Sequence, residues 1–127
     1  MKIIIESIPQ KDHRYDTCGD YWYDENGVLQ VRVTEMGKRE MMLVIFHELV
    51  EQFLTEERNI QEQDIMKFDI EFENNRIEGD DSEPGDNPNA PYRKEHRFAE
   101  NIERMIAHEI GYNWDEYTKR FNDYMGI

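Results

Sequence analysis

From Met41 to Glu51 the chain reads Met41-Met42-Leu43-Val44-Ile45-Phe46-His47-Glu48-Leu49-Val50-Glu51, an apolar run broken by a His-Glu-x-x-Glu cluster. Gly37 stands before it, and no Gly or Pro interrupts the stretch from Lys38 to Glu57. The spacing predicts one helix over 38–57. On that helix His47 and Glu51 sit one above the other, while Glu48 points about 100° away. A helical wheel places Met41, Met42, Leu43, Ile45, Phe46, Leu49, Val50, Phe53 and Leu54 in an arc of roughly 220°. Glu40, His47, Glu48, Glu51, Gln52 and Thr55 fill the rest, with Val44 among them. So wide an apolar arc predicts a central helix whose apolar side is buried. The polar sector is then either solvated or the wall of a cleft.

Strands precede the helices. Lys2 to Ser7 is short and rich in Ile. Tyr21-Trp22-Tyr23 and Val28 to Val33 flank Asp24-Glu25-Asn26-Gly27, and Asn-Gly between two such runs predicts an antiparallel hairpin over 21–34. A second helix is expected from about Gln61 to Glu73. A third is expected from about Tyr92 to Ile110, stopped by Gly111. A fourth runs from about Trp114 to Tyr124, opened by Asn113. Asn74 to Pro91, with its Gly, Pro and acidic residues, is a long loop, of a kind that is functional or disordered. Asp80 to Asp86 lacks calcium-loop spacing and reads as solvated. The expected fold is a single α+β domain over 1–127, a small antiparallel sheet packed by three or four helices.

With 29 Asp and Glu against 15 Lys and Arg, the net charge is −14. That argues against sequence-independent binding to a phosphate backbone, which needs positive charge, so no direct nucleic-acid binding is expected. One cysteine, Cys18, permits no intrachain disulfide and fits a reducing compartment. No apolar run reaches the roughly 20 residues that span a bilayer, so no membrane partner is expected.

The third helix offers a face to match the first. His96, Glu100 and Glu103 share one side by four- and seven-residue spacing, with Ala99 and Ala107 leaving room beside them. His47 with Glu51 and His96 with Glu100 could together give one ion three or four ligands. The alternative places His96 on the surface, in a charged first turn. His108, near the helix end, reads as structural. His13 lies in a polar loop and carries no specific signal.

His47-Glu48-Leu49-Val50-Glu51 resembles the His-Glu-x-x-His helix of zincin metallohydrolases, with Glu51 in place of the second His. That resemblance implies zinc on His47 and Glu51, and Glu48 as the base that activates zinc-bound water. The pairs Glu48/Glu51 and Glu100/Glu103 also look like the acidic motifs of MazG-like nucleotide pyrophosphohydrolases, which hold magnesium but are all-helical. More widely, the chain resembles a group of phage and prophage proteins without an established activity. The shared residues are Arg14 to Asp20, His47 to Glu51, Asp69, Pro84-Gly85-Asp86, Ala90-Pro91-Tyr92, Glu95-His96 and Glu103-Arg104. This resemblance implies a phage origin and a host-cytoplasm setting.

The expected function is a zincin-like metal-dependent hydrolase, or a metal-binding relic of one, acting on a protein or peptide. His47, Glu51 and His96 would hold the ion. Glu100 would be a fourth ligand or would orient an imidazole, and Glu48 would be the general base. The opposing reading is an acidic, non-enzymatic protein that neutralises a basic host factor.

Overall fold

A computed structural model describes residues 1–127. Three strands, β1 (Ile3–Ile8), β2 (Gly19–Tyr23) and β3 (Leu29–Thr34), precede four helices. These are α1 (Lys38–Glu57), α2 (Glu62–Asn74), α3 (Arg93–Glu109) and α4 (Trp114–Met125). Short 3-10 turns lie at Gln10–Asp12 and Pro84–Asp86. No helix is long and apolar enough to cross a membrane.

The Asn26-Gly27 turn forms as its sequence demands. Asp24 Oδ1 accepts from the backbone N–H groups of Asn26 and Val28 at 2.9 and 3.0 Å, which folds β2 back on β3 with Tyr21 opposite Val31. The sheet is mixed rather than wholly antiparallel, in the order β1-β3-β2. Residues 9–18 reverse the chain and carry it across β3, so β1 lies on the far edge, parallel to β3, with Ile5 opposite Val31. A tight turn over residues 24–28 forces antiparallel neighbours, whereas a ten-residue connection leaves the direction to packing.

The apolar core is small. Tyr21, Leu29 and Val31 of the sheet pack with Ile65 of α2 and with Tyr92, just before α3. A second cluster joins Leu43 of α1, Ala107 of α3 and Tyr117 of α4. Helix α3 runs antiparallel along α1, since Arg58 pairs with Glu95 near one end and His47 with Glu103 further along. Gly111, at φ 73°, ends α3, and Asn113 caps α4 by accepting from the Glu116 N–H at 3.0 Å.

Helix α1 has the expected bounds but the opposite orientation. Its buried residues are Glu40, Leu43, Val44, His47, Glu48, Glu51, Gln52 and Thr55, nearly the whole polar sector of the wheel. Met42, Phe46 and Phe53, from the middle of the apolar arc, are exposed. Of 26 buried residues in the chain, thirteen are polar or charged and eleven are apolar. The centre of the molecule is thus a polar cluster, and the helices are turned to build it.

Candidate metal centre

Three side-chain atoms converge between α1 and α3. His47 Nε2 lies 3.0 Å from Glu51 Oε2 and 3.2 Å from His96 Nδ1, and His96 Nδ1 lies 3.0 Å from the same Glu51 oxygen. All three residues are buried. Each atom of this near-equilateral triangle carries a lone pair that can point inward, so a cation must stand among them, as protons or as a metal. A point about 2.1 Å from all three atoms exists on either side of their plane, the distance at which zinc binds nitrogen and oxygen.

The outer atoms of the triad are tied down in the manner of a metal site. His47 Nδ1 donates to Glu103 Oε1 at 2.8 Å, because a carboxylate can only accept. Without a metal Nε2 then donates to Glu51 Oε2, and on loss of that proton its lone pair would face the triangle, as in a carboxylate–imidazole–metal arrangement. Tyr117 of α4 donates its hydroxyl to the other Glu103 oxygen and fixes that carboxylate in turn. Tyr21 of β2 donates to Glu51 Oε1 at 2.9 Å and leaves Oε2 alone for the triangle. On the far side, Glu83 Oε2 stands 2.9 Å from His96 Nε2, an ion-pair distance without hydrogen-bond alignment. Asp86 follows at 3.7 Å.

Two glycines make these approaches possible. A Cβ on Gly85 would lie 2.3 Å from the His96 ring, so the Pro84–Asp86 turn can rest on the imidazole only because position 85 has none. A Cβ on Gly19 would lie 2.3 Å from Glu48 Oε1, so Glu48 is pressed flat on the β2 backbone.

Charge follows geometry. Burial disfavours the charged forms of His47 and His96, yet their carboxylate partners outweigh it and hold both pKa values well above the ordinary imidazole value. Burial would likewise raise Glu51, but its hydrogen bonds with the two imidazoles hold it down at about 2. Glu83 is also lowered, burial being outweighed by His96. Glu48 is the opposite case: burial, and then the charge of Glu51, push it well above the carboxylate range. Asp69 is raised to about 7 by burial, although Tyr92 and Tyr15 donate to it at 2.6 and 3.2 Å.

The triad and Glu48 line one cavity of about 300 Å³, walled by α1, α3, β2 and the 81–85 loop. Its lining includes Asp20, Asp69, Glu62 and Glu73, and its one Arg or Lys, Arg76, is already paired with Glu73 at 2.8 Å.

His47, Glu51 and His96, chosen on helical spacing alone, are brought together, and neither His96 nor the polar sector of α1 is solvated. Glu100 is not one of the converging atoms. It stands half-buried beside Asp86 and Glu83, its carboxyl raised by burial and by those two charges. The expected second contact to an imidazole is made by Glu103, one turn along the same face. Glu83 falls in the loop that reads as solvated, and no periodicity points to it. His13 is buried, not a bystander in a polar loop, with Nε2 2.9 Å from Thr34 Oγ1. Comparison with protein-family models, curated proteins and solved structures gives no match.

Proposed function

We propose that the α1–α3 cavity binds a divalent metal ion and that the chain is a zincin-like metal-dependent hydrolase of a protein or peptide substrate. The observation that carries this reading is the triangle of His47 Nε2, His96 Nδ1 and Glu51 Oε2, with edges of 3.0–3.2 Å. A bound metal supplies polarisation of the scissile carbonyl and acidification of a bound water. The chain's own residues do the rest. Glu103 and Tyr117 hold the His47 ring with Nε2 toward Glu51, and Tyr21 engages the Glu51 oxygen that faces away from the imidazoles. Glu48, buried in the same cavity with its affinity for protons raised, is the carboxylate placed to exchange a proton there.

Two alternatives are less well supported. A carboxylate pair for magnesium would bring Glu48, Glu51, Glu100 and Glu103 together, but here Glu51 and Glu103 serve imidazoles and Glu48 lies against Gly19. An acidic decoy would spread its carboxylates over a surface, but here five glutamates of α1 and α3 are buried with two histidines. The ligand set fits more than one divalent ion. Adjacent ligands about 3.0 Å apart suit octahedral coordination, and two imidazoles with one carboxylate then also suit ferrous iron or manganese.

Elemental analysis of the protein, purified without a histidine tag, tests the reading. One equivalent of metal is expected, lost in His47→Ala and kept in Glu48→Gln. Glu48→Gln is expected to lower peptide hydrolysis about 10²–10⁴-fold. A metal-free protein that takes up no zinc, iron or manganese on titration would sink the proposal. Undiminished turnover in Glu48→Gln would remove Glu48 from the mechanism.

A further inference from the structure

His96 has a second ring nitrogen that the α1–α3 triad does not use. The two nitrogens of an imidazole point away from each other, so an ion held at Nδ1 cannot also be held at Nε2. His96 Nε2 is buried without a hydrogen-bond partner, in a side chain only 7% exposed. A buried polar atom left so is costly unless something meets it. Facing it are Glu83 Oε2 at 2.9 Å and Asp86 Oδ1 at 3.7 Å.

The loop builds this cluster by its turn. Pro84–Asp86 is a 3-10 turn with Glu83 at its N-cap. Such a turn has about three residues, so side chains three positions apart project to one side, as Glu83 and Asp86 do. One ligand atom from each of Glu83, Asp86 and His96 lies within 4.8 Å of the other two. Glu100, one turn beyond His96 on α3, stands half-buried beside the same two acids. No Lys or Arg pairs with any of these three carboxylates, and Arg93 reaches only the Asp86 carbonyl, at 3.4 Å.

Alignment separates a proton from a metal here. In a hydrogen bond the N–H points at its acceptor. Two ligands of one ion point instead at a place between them. A nitrogen and an oxygen each about 2.1 Å from an ion, and about 90° apart around it, lie about 3.0 Å from each other with the nitrogen aimed well off the oxygen. Glu83 stands in that relation to Nε2, at 2.9 Å and out of line. Asp86, at 3.7 Å, is inside the span of about 4.2 Å that two such ligands can bridge.

We infer that Glu83, Asp86 and His96 Nε2 form a second site for a divalent ion, and that the His96 ring bridges it to the ion of the triad. A nitrogen among carboxylates favours zinc, manganese or ferrous iron over calcium and magnesium. With both ions bound, the ring gives its remaining proton to solvent and joins them as an imidazolate, about 6 Å apart. The second site needs no triad residue except His96, whereas the bridge rests on the metal reading of the triad. Glu83 and Asp86 have side chains 42% and 39% exposed, so this ion exchanges readily and the purified protein keeps only the ion of the triad.

Titration of the untagged full chain with zinc tests the inference. One tight equivalent is expected in the triad, followed by a second, weaker equivalent. Glu83→Gln/Asp86→Asn is expected to lose the weaker phase and keep the tight equivalent, which also shows that the variant is folded. His47→Ala is expected to lose the tight phase and keep the weaker one. Copper(II) at both sites reads the bridge: an imidazolate couples the two spins, so the electron paramagnetic resonance signal is expected to fall well below that of two independent ions. A wild type without a second equivalent overturns the second site, and so does a second equivalent that survives Glu83→Gln/Asp86→Asn. A wild type with a single equivalent that is lost in Glu83→Gln/Asp86→Asn and kept in His47→Ala overturns the triad and the bridge, and supports the outer site. Full signal from two bound coppers overturns the bridge.

Discussion

The two faces of α1 invert the usual rule for a helix of a small domain. The inner face carries Glu40, His47, Glu48 and Glu51 into the protein, while the outer face shows Met42, Phe46 and Phe53 to solvent. Burying ionised groups is costly unless each is paired, and here the pairing is dense: Glu51 serves two imidazoles and a phenol, and Glu103 an imidazole and a phenol. The outer face gains nothing by exposure. The orientation of α1 is therefore set by the cluster.

The largest expected effect breaks the inner face. Glu51→Ala removes the anion shared by His47 and His96 and is expected to cost the metal-free protein about 3–5 kcal/mol in urea unfolding. Phe53→Ser, on the outer face of the same helix, is expected to change the stability of the monomer by less than about 0.5 kcal/mol. Equal losses at the two positions would mean that the faces are energetically alike. The Glu51 loss also has a pH signature. Glu51 is depressed in the fold, so its contribution is complete above about 4.5 and fades as pH falls toward about 2. The imidazoles are raised, so their contribution is complete below about 6.5 and is lost as pH climbs through their folded values. The gap between wild type and Glu51→Ala is therefore expected to be widest near pH 5–6, on the order of a unit either way.

A smaller effect is expected from the loop side of the cluster. Gly85→Ala puts a methyl group into the His96 ring and must lift the turn that brings Glu83 to that imidazole. The expected cost is about 1–3 kcal/mol of stability. Metal affinity is expected to fall about 10–100-fold, because an imidazole loses the carboxylate beside it. Calorimetric titration with zinc reads the second quantity. Unchanged affinity would show that Glu83 does not support the site.

What the sequence made legible follows from period. Four helices and the hairpin came from apolar spacing, the Asn26-Gly27 turn and the signals at Gly111 and Asn113. His47, Glu51 and His96 came from four-residue spacing and from the pairing of two similar faces. A wheel gives relative angles on one helix but does not say which angle faces inward, and hydropathy gave the wrong sign for α1 because the buried charges are paired across helices. Glu83 was invisible for a related reason: it acts from a loop, where no repeat fixes direction, and its role depends on Gly85 lying flat on a ring 11 positions away in the chain. The parallel placement of β1 was likewise beyond reach, since Ile3 to Ile8 can pair in either direction.

The smallest expected effect sharpens the comparison at one atom. Tyr21 stands on β2, outside the helix pair, and its hydroxyl donates to Glu51 Oε1, the oxygen turned away from the imidazoles. Tyr21→Phe keeps the ring in the apolar core with Leu29 and Val31 and removes only that donor. The cost in stability is expected to be about 1 kcal/mol, the usual worth of one buried hydrogen bond. The effect on metal is expected to be larger in proportion. Without its phenol, Glu51 is free to rotate and offer either oxygen, so zinc affinity is expected to drop about tenfold while the bound stoichiometry stays at one. Loss of stability without loss of affinity would make Tyr21 part of the core alone. Loss of affinity at unchanged stability would instead make its hydroxyl a device of the site, one that fixes which Glu51 oxygen faces the imidazoles.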